Sequence, residues 1–287
     1  MSRIAYVNGR YLPQADACVN VEDRGYQFGD AVYEVWLIAG GRLCDAEGHF
    51  ARLERSLGEL SIPLPMSRKA LEVVLRETLR RNRVKDGLLY LQVSRGVARR
   101  DHPFPVPAPA PAVVVTARSL DPSAGEAKAA KGVAVITAPE SRWGRCDIKT
   151  VNLLPNVLAK QAAKAAGAYE AWFVDELGFV TEGSSTNAWI VDREGVLRTR
   201  DIQANILRGV TRAGVLKIAA ETGLALAEGP FALSDALEAK EAFITGASTQ
   251  VTPVVSIDGR KVGTGKPGPV AERLRNLYIY QARREAE

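Results

Sequence analysis

The sequence predicts an α/β chain of two domains built on mixed sheets. Three observations carry this. Helical and strand-like hydrophobic periodicities alternate along the chain, with no internal repeat. A stretch rich in Ala, Ser, Gly and Lys at residues 121–131 interrupts them. The length of 287 residues suits one large or two ordinary domains. The expected division is a smaller N-terminal domain over 1–120, a linker over 121–131 and a larger C-terminal domain over 132–287.

In chain order, Phe50, Leu53, Leu57 and Leu60 recur at helical spacing, and so do Leu71, Val74, Leu75 and Leu79 behind Ser67, a fitting N-cap. The runs Leu88-Leu89-Tyr90-Leu91-Gln92-Val93 and Ala112-Val113-Val114-Val115-Thr116 read as buried strands. Between them, prolines at 103, 105, 107, 109 and 111 force an extended loop over residues 101–112. Beyond the linker, Val133-Ala134-Val135-Ile136-Thr137 is a strand, and residues 156–166 form an Ala-rich helix ended by Gly167. Residues 170–200 read as strands joined by turns at 175–178 and 192–195. Helices are expected over about 211–222 and 270–284.

Composition narrows the function classes. Hydrophobic residues make up 46% and charged residues 25%, ordinary for a globular protein. The net charge of +5 is mild and scattered, which argues against nucleic acid as a partner. The basic run at 80–83 and the tail around Arg283-Arg284 read as solvated helix ends. Cys18, Cys44 and Cys146 are far apart, so neither a disulfide framework nor a metal site is expected. Reduced thiols, the lack of an apolar signal core at the N-terminus and the lack of any apolar run near ~20 residues point to a cytoplasmic protein.

Four places carry chemistry. Lys149 lies in Asp147-Ile148-Lys149-Thr150-Val151-Asn152-Leu153-Leu154, among apolar neighbours. Partial burial favours the neutral amine, which attacks aldehydes to form a Schiff base. A solvated surface charge is the commoner state of a lone lysine. Glu182, in Thr181-Glu182-Gly183-Ser184-Ser185-Thr186-Asn187, follows the strand-like Phe179-Val180. A carboxylate there can keep a pyridine nitrogen protonated, although the Gly-Ser-Ser run also fits a plain turn. Leu207-Arg208-Gly209-Val210-Thr211-Arg212 opens a helix whose N–H groups suit a phosphate, and the turn Thr245-Gly246-Ala247-Ser248-Thr249 would complete a cup or merely end a strand. Finally, Arg100 and His102 share one side of an extended segment, with Arg99 opposite. Together they make a carboxylate trap or part of a solvated loop. The other histidine, His49, begins a helix and reads as structural.

These pieces occur together, and in this order, in one family. The sequence resembles the class IV aminotransferases, which use pyridoxal 5'-phosphate (PLP) and include D-amino-acid transaminases, branched-chain L-amino-acid transaminases and aminodeoxychorismate lyases. The resemblance runs from Val7-Asn8-Gly9 through Glu22-Asp23-Arg24-Gly25-Tyr26-Gln27-Phe28-Gly29-Asp30 and Arg145-Cys146-Asp147-Ile148-Lys149 to Thr252-Pro253 and Ile257-Asp258-Gly259. It implies the family's two-domain fold, with mixed sheets and the active site between the domains. It further implies Lys149 as the Schiff-base and proton-shuttling lysine and Glu182 as the partner of the ring nitrogen. Arg52, Val210, Thr211, Ser185 and Ser248 would hold the cofactor, and Leu207 would pack on its ring.

Within the family the chain looks most like a D-amino-acid transaminase, because Tyr33, Arg100 and His102 match that group's carboxylate trap. There, the Arg and His come from the neighbouring subunit, which implies a homodimer. Two departures stand out. Ala247 occupies a position usually held by Thr, with Ser248 taken as its substitute, and Arg99 replaces a more familiar Pro. Arg99 would then favour dicarboxylate substrates or face solvent. The alternatives are a branched-chain L-amino-acid transaminase, an aminodeoxychorismate lyase, an (R)-amine transaminase and, more remotely, a non-catalytic PLP-binding protein.

Overall fold

Alternating burial along one strand organises the first half of the chain. The computed structural model describes residues 3–203 and 205–285. They divide into two compact units, one taking the chain up to Asp121 together with Ile148–Asn152, the other comprising Pro122–Asp147 and Leu153–Arg284. The first unit contains strands β1 (Ile4–Val7), β2 (Arg10–Pro13), β3 (Ala31–Ala39), β4 (Arg42–Leu43), β5 (Gly87–Ser94) and β6 (Ala112–Ser119), and helices α1 (Arg24–Phe28), α2 (Ala46–Glu59) and α3 (Arg68–Asn82). Its sheet runs β2-β1-β6-β5-β3-β4 and is antiparallel throughout. The expectation of mixed sheets fails for this unit. Among the described residues each pair of hydrogen-bonded neighbours runs in opposite directions, and no parallel crossover is made.

In β3, Val32, Glu34, Trp36 and Ile38 are buried, while Tyr33, Val35 and Leu37 on the other face are only partly so. The buried face meets Phe50, Leu53 and Leu57 of α2 and Leu71 and Leu75 of α3 in one core. Each such side chain contributes roughly 1.5–3 kcal/mol on burial. Ser67 caps α3 by accepting from the Ala70 N–H at 3.3 Å. Ile148 belongs to the same core, which anchors the returning segment Ile148–Asn152.

Glu34 places a charge on that apolar face. It is compensated by Arg52, whose Nε and Nη2 donate to its two oxygens at 2.8 and 2.7 Å, and by His49 Nδ1 at 2.7 Å. Burial alone would raise the Glu34 pKa, but the charge of Arg52 and the hydrogen bonds outweigh it and hold the carboxyl at about 2. Burial lowers the His49 imidazole. A carboxyl held below its ordinary value stabilises the fold above that ordinary value and loses the contribution as pH falls through the folded one. The expected result is an acid limb in stability between about 4.5 and about 2. Glu34→Ala is expected to remove that limb and to cost about 3–5 kcal/mol at neutral pH, because it strands Arg52. Urea unfolding at a series of pH values checks both.

The second unit holds α4 (Pro122–Lys131), β7 (Val133–Pro139), α5 (Leu154–Ala165), β8 (Glu170–Val174), β9 (Val180–Gly183), β10 (Asn187–Val191), β11 (Leu197–Thr199), α6 (Val210–Glu221), β12 (Leu226–Glu228), α7 (Leu233–Leu237), β13 (Glu241–Gly246), β14 (Gln250–Ile257), β15 (Arg260–Lys261) and α8 (Pro269–Glu285). Its nine-stranded mixed sheet runs β12-β11-β10-β13-β14-β7-β8-β9, with β15 on β14. Parallel pairs are β11 with β12, β14 with β7 and β7 with β8. One core gathers Val135, Trp172, Val180, Ile190, Phe231, Ile244 and Val254, and another packs Ala159 and Ala163 of α5 on Phe173.

Two differences from the sequence-based division follow. Residues 122–131 form a helix rather than an unstructured linker, since Pro at its first position and four alanines favour helix. The sequence-based division puts Lys149 in the C-terminal domain, yet its segment pairs with β3 and groups with the first unit.

Candidate active site

Lys149 is fixed by its own backbone. Its N–H donates to Ser56 Oγ of α2 at 3.3 Å, and its carbonyl accepts from the Tyr33 N–H of β3 at 3.0 Å. Beside it, Thr150 bridges Val32, and the Val151 N–H donates to the Ala31 carbonyl at 3.2 Å. The half-buried side chain lies with Nζ 4.3 Å from the centre of the Tyr33 ring, on the less buried face of β3. Tyr33 in turn sits 5.7 Å from Tyr90, whose hydroxyl burial pushes up to about 12. Lys149 and Tyr33 are thus brought together, whereas Arg52 belongs to the Glu34 cluster on the other face of β3.

Arg100 and His102 meet over another ring. The Arg100 guanidinium carbon is 5.1 Å from the Phe28 centroid, and the His102 ring lies 5.6 Å from it. Arg99, Arg100 and His102 are all exposed.

In the second unit, Glu182 is buried at the end of β9. One oxygen accepts from Asn187 Nδ2 at 2.9 Å, and the other from the Leu207 N–H at 3.0 Å and from Arg142 Nη1. Asn187 also donates to the Leu207 carbonyl at 3.1 Å, so the backbone of Leu207 is gripped at both ends. Arg142 also pairs with Glu140 through Nε at 2.9 Å and Nη2 at 2.6 Å. Burial pushes the Glu182 carboxyl up, and Arg142 pulls against it. At Glu140 the opposing effects of burial and Arg142 resolve the other way, and the carboxyl is lowered.

Just past Leu207, Gly209 caps α6 without a side-chain hydrogen bond, leaving the first N–H groups of the helix without a side-chain cap. A Cβ on Gly209 would collide with Asn187 Oδ1, so only glycine lets the helix start so close to Asn187. Thr211 is buried, with its hydroxyl 3.3 Å from the Tyr278 hydroxyl. Asn187 pairs with Thr245 in the sheet, so the turn carrying Ala247 and the exposed Ser248 follows at the same sheet end. The Ser185 hydroxyl donates to Glu170 at 2.7 Å, alongside Ser184 and Thr186, and is engaged within the protein.

Comparison with known proteins decides what this arrangement belongs to. The family profile described as amino-transferase class IV matches residues 31–257. The chain is 42% identical to a D-alanine aminotransferase of Bacillus licheniformis over 93% of each chain. It is 38% identical to a D-alanine aminotransferase of Listeria innocua over 95% of this chain and 94% of the relative. Among solved structures, a T.th. branched-chain amino acid aminotransferase with pyridoxamine 5'-phosphate superposes with a TM-score of 0.88 at 30% identity, covering 98% of this chain and 94% of that one.

The chain belongs to the class IV aminotransferases.

Class IV aminotransferases work with PLP, and the residues present fit it. Glu140 and Glu182 place two carboxylates on one guanidinium, a buried arrangement with an excess negative charge that a protonated ring nitrogen would neutralise. The uncapped start of α6 offers N–H donors to a phosphate.

Sequence reading missed Arg142, Glu140 and the clamping role of Asn187. Arg142 lies 40 residues before Glu182 in a Glu-Ser-Arg-Trp segment without periodicity. The signal available was indirect: a carboxylate expected in a buried strand needs a cation, and only long-range pairing supplies one.

Proposed function

We propose that the chain is a D-amino-acid transaminase, moving the amino group of a D-amino acid of the D-alanine or D-glutamate type to a 2-oxo acid such as 2-oxoglutarate. The observation that carries this reading is the convergence of Arg100 and His102 over Phe28, a paired cationic and imidazole surface suited to a carboxylate. The D-alanine aminotransferases among its relatives support it.

When bound, PLP supplies an electron sink for the pair left by a broken Cα–H bond. Lys149 Nζ anchors the cofactor and takes the Cα proton of the substrate. Glu182, held by Arg142, Asn187 and the Leu207 N–H, would face the ring nitrogen and hold its proton. Leu207, clamped at both backbone ends, would pack on the ring. Arg52, the N–H groups of Val210 and Thr211, and Ser248 would hold the phosphate, while the Ser185 hydroxyl proton stays with Glu170. Tyr33, Arg100 and His102 bind the α-carboxylate. The two half-reactions share one site, so initial-rate lines against each substrate run parallel.

Arg100→Ala is expected to raise KM for D-alanine by about 10²-fold, with cofactor affinity unchanged. An unchanged KM would take Arg100 out of the trap. The reading as a whole is tested by supplying D- and L-alanine, D-glutamate, D- and L-leucine and (R)-1-phenylethylamine, each with 2-oxoglutarate. Faster turnover of L-leucine than of any D-amino acid would establish the second reading, a branched-chain transaminase, which the similarity to a solved branched-chain amino acid aminotransferase favours. No turnover of any would leave the lyase or a non-catalytic PLP-binding protein.

A homodimer accompanies this function. Leu154, Val157 and Leu158 of α5 are 69%, 58% and 63% exposed at helical spacing, an apolar stripe that a second copy would cover. None of the described helices is long and apolar enough to cross a membrane, and a cytoplasmic location is proposed with the function.

A further inference from the structure

We infer that Arg24 is a positioning residue for the substrate carboxylate site, holding the backbone of the Arg100–His102 segment in place; this rests on the reading of Arg100 and His102 as the carboxylate trap. Arg24 is 3% exposed, so its guanidinium is not a surface charge. Its Nη1 donates to the Asp101 carbonyl at 2.6 Å and its Nη2 to the His102 carbonyl at 3.2 Å. Its Nε donates to Asp30 at 2.9 Å, which fixes the plane of the fork. The guanidinium carbon lies 4.7 Å from the centroid of Phe28, the ring that Arg100 and His102 also face. One buried side chain therefore touches both the backbone of the trap and the ring that collects its side chains.

The surroundings leave Arg24 free for this task. Asp30 is also held by Arg95 through Nε at 2.6 Å and Nη2 at 2.9 Å, so its charge is paired without Arg24. Arg95 further donates to the Leu60 carbonyl at 2.7 Å and stacks 3.6 Å from the Phe104 centroid, tying down the far side of the loop. The start of the loop is strapped to residues 22–24: the Arg24 N–H donates to the Gly96 carbonyl at 3.0 Å and the Ala98 N–H to the Glu22 carbonyl at 3.3 Å. Gly96, at φ +103°, has no room for a Cβ, which would collide with the Ala110 carbonyl oxygen. Residues 101 and 102 are exposed, and Arg24 supplies two side-chain hydrogen bonds to their carbonyls. A lysine keeps the charge but cannot span both carbonyls with a planar fork.

The test uses the full-length PLP-loaded protein with Arg24→Met, Arg24→Lys and, as reference, Arg100→Ala. The inference expects both Arg24 variants to raise KM for D-alanine about tenfold while kcat changes less than about threefold. PLP affinity should stay at the wild-type value. Hydrogen exchange should quicken over residues 97–106 and not in the sheet. If the Met variant does not fold, the Lys variant carries the test. A wild-type KM and wild-type loop exchange in Arg24→Lys would overturn the inference, since charge alone would then suffice. Exchange that quickens throughout the first unit would overturn it too, by making Arg24 a general support of the fold. If Arg100→Ala leaves KM unchanged, the trap reading itself fails, a result separate from an Arg24 effect that is missing while Arg100 matters.

Discussion

Lys149→Ala is expected to abolish transamination, by at least about 10³-fold in kcat, because the amine proposed to anchor the cofactor is also the one proposed to carry the proton. The visible absorbance of the loaded protein and its reduction by borohydride should go with it. The fold should survive. What holds Lys149 in place is its main chain, donating to Ser56 Oγ and accepting from Tyr33, and alanine keeps both contacts. An unchanged thermal midpoint with no activity is therefore the expected pair of results. A variant that retains a borohydride-reducible band has its cofactor on another lysine, and the assignment is then wrong.

Glu182→Gln is expected to lower kcat by about 10²-fold or more while leaving PLP bound, since residue 182 is not among those proposed to hold the phosphate. The physical reason lies in the count of charges. Arg142 serves both Glu140 and Glu182. Removing the Glu182 charge leaves one carboxylate to one guanidinium, so the drive to protonate the ring nitrogen disappears. Glutamine also turns an amide donor either towards both Arg142 and the Leu207 N–H or towards Asn187 Nδ2, all of them donors. Stopped-flow mixing with D-alanine separates the slowed proton step from binding. A wild-type rate would mean that Glu182 does not face the ring nitrogen.

Much of the secondary structure can be read along the chain because its causes are local. The spacing of Phe50, Leu53 and Leu57 gives α2, Ser67 caps α3, and Gly167, at φ +71°, follows α5. The residues at 122–131 are ambiguous for the same reason: an Ala-rich polar stretch makes a good linker and a good helix, and only Ala129 is buried to decide it. The candidate site is legible as a set of residues but not as an arrangement. Lys149 can be picked out, yet nothing in its octapeptide indicates that Tyr33 and Ser56, far earlier in the chain, hold it. Glu182 can be picked out, yet Arg142 cannot, because the pairing is a property of how the loop after β7 folds back towards β9. The use of the Ser185 hydroxyl by Glu170 is equally hidden, since a Ser-Ser-Thr run looks alike whether it faces a ligand or a buried carboxylate.

The return of Ile148–Asn152 to the first unit bears on how the chain is made. On its edge away from β5, strand β3 finds partners for the Ala31 carbonyl and the Tyr33 N–H in residues that the ribosome delivers much later, after the whole of the first sheet. A nascent chain of the first unit must wait with that edge unfilled while Pro122–Asp147 is synthesised. A fragment cut at the apparent boundary after Asp121 would lack Ile148 from its core and the lysine proposed to anchor the cofactor. Lys149 thus arrives as part of the closing piece of a unit otherwise complete, and a chain that stops short of it is left with an unfinished edge.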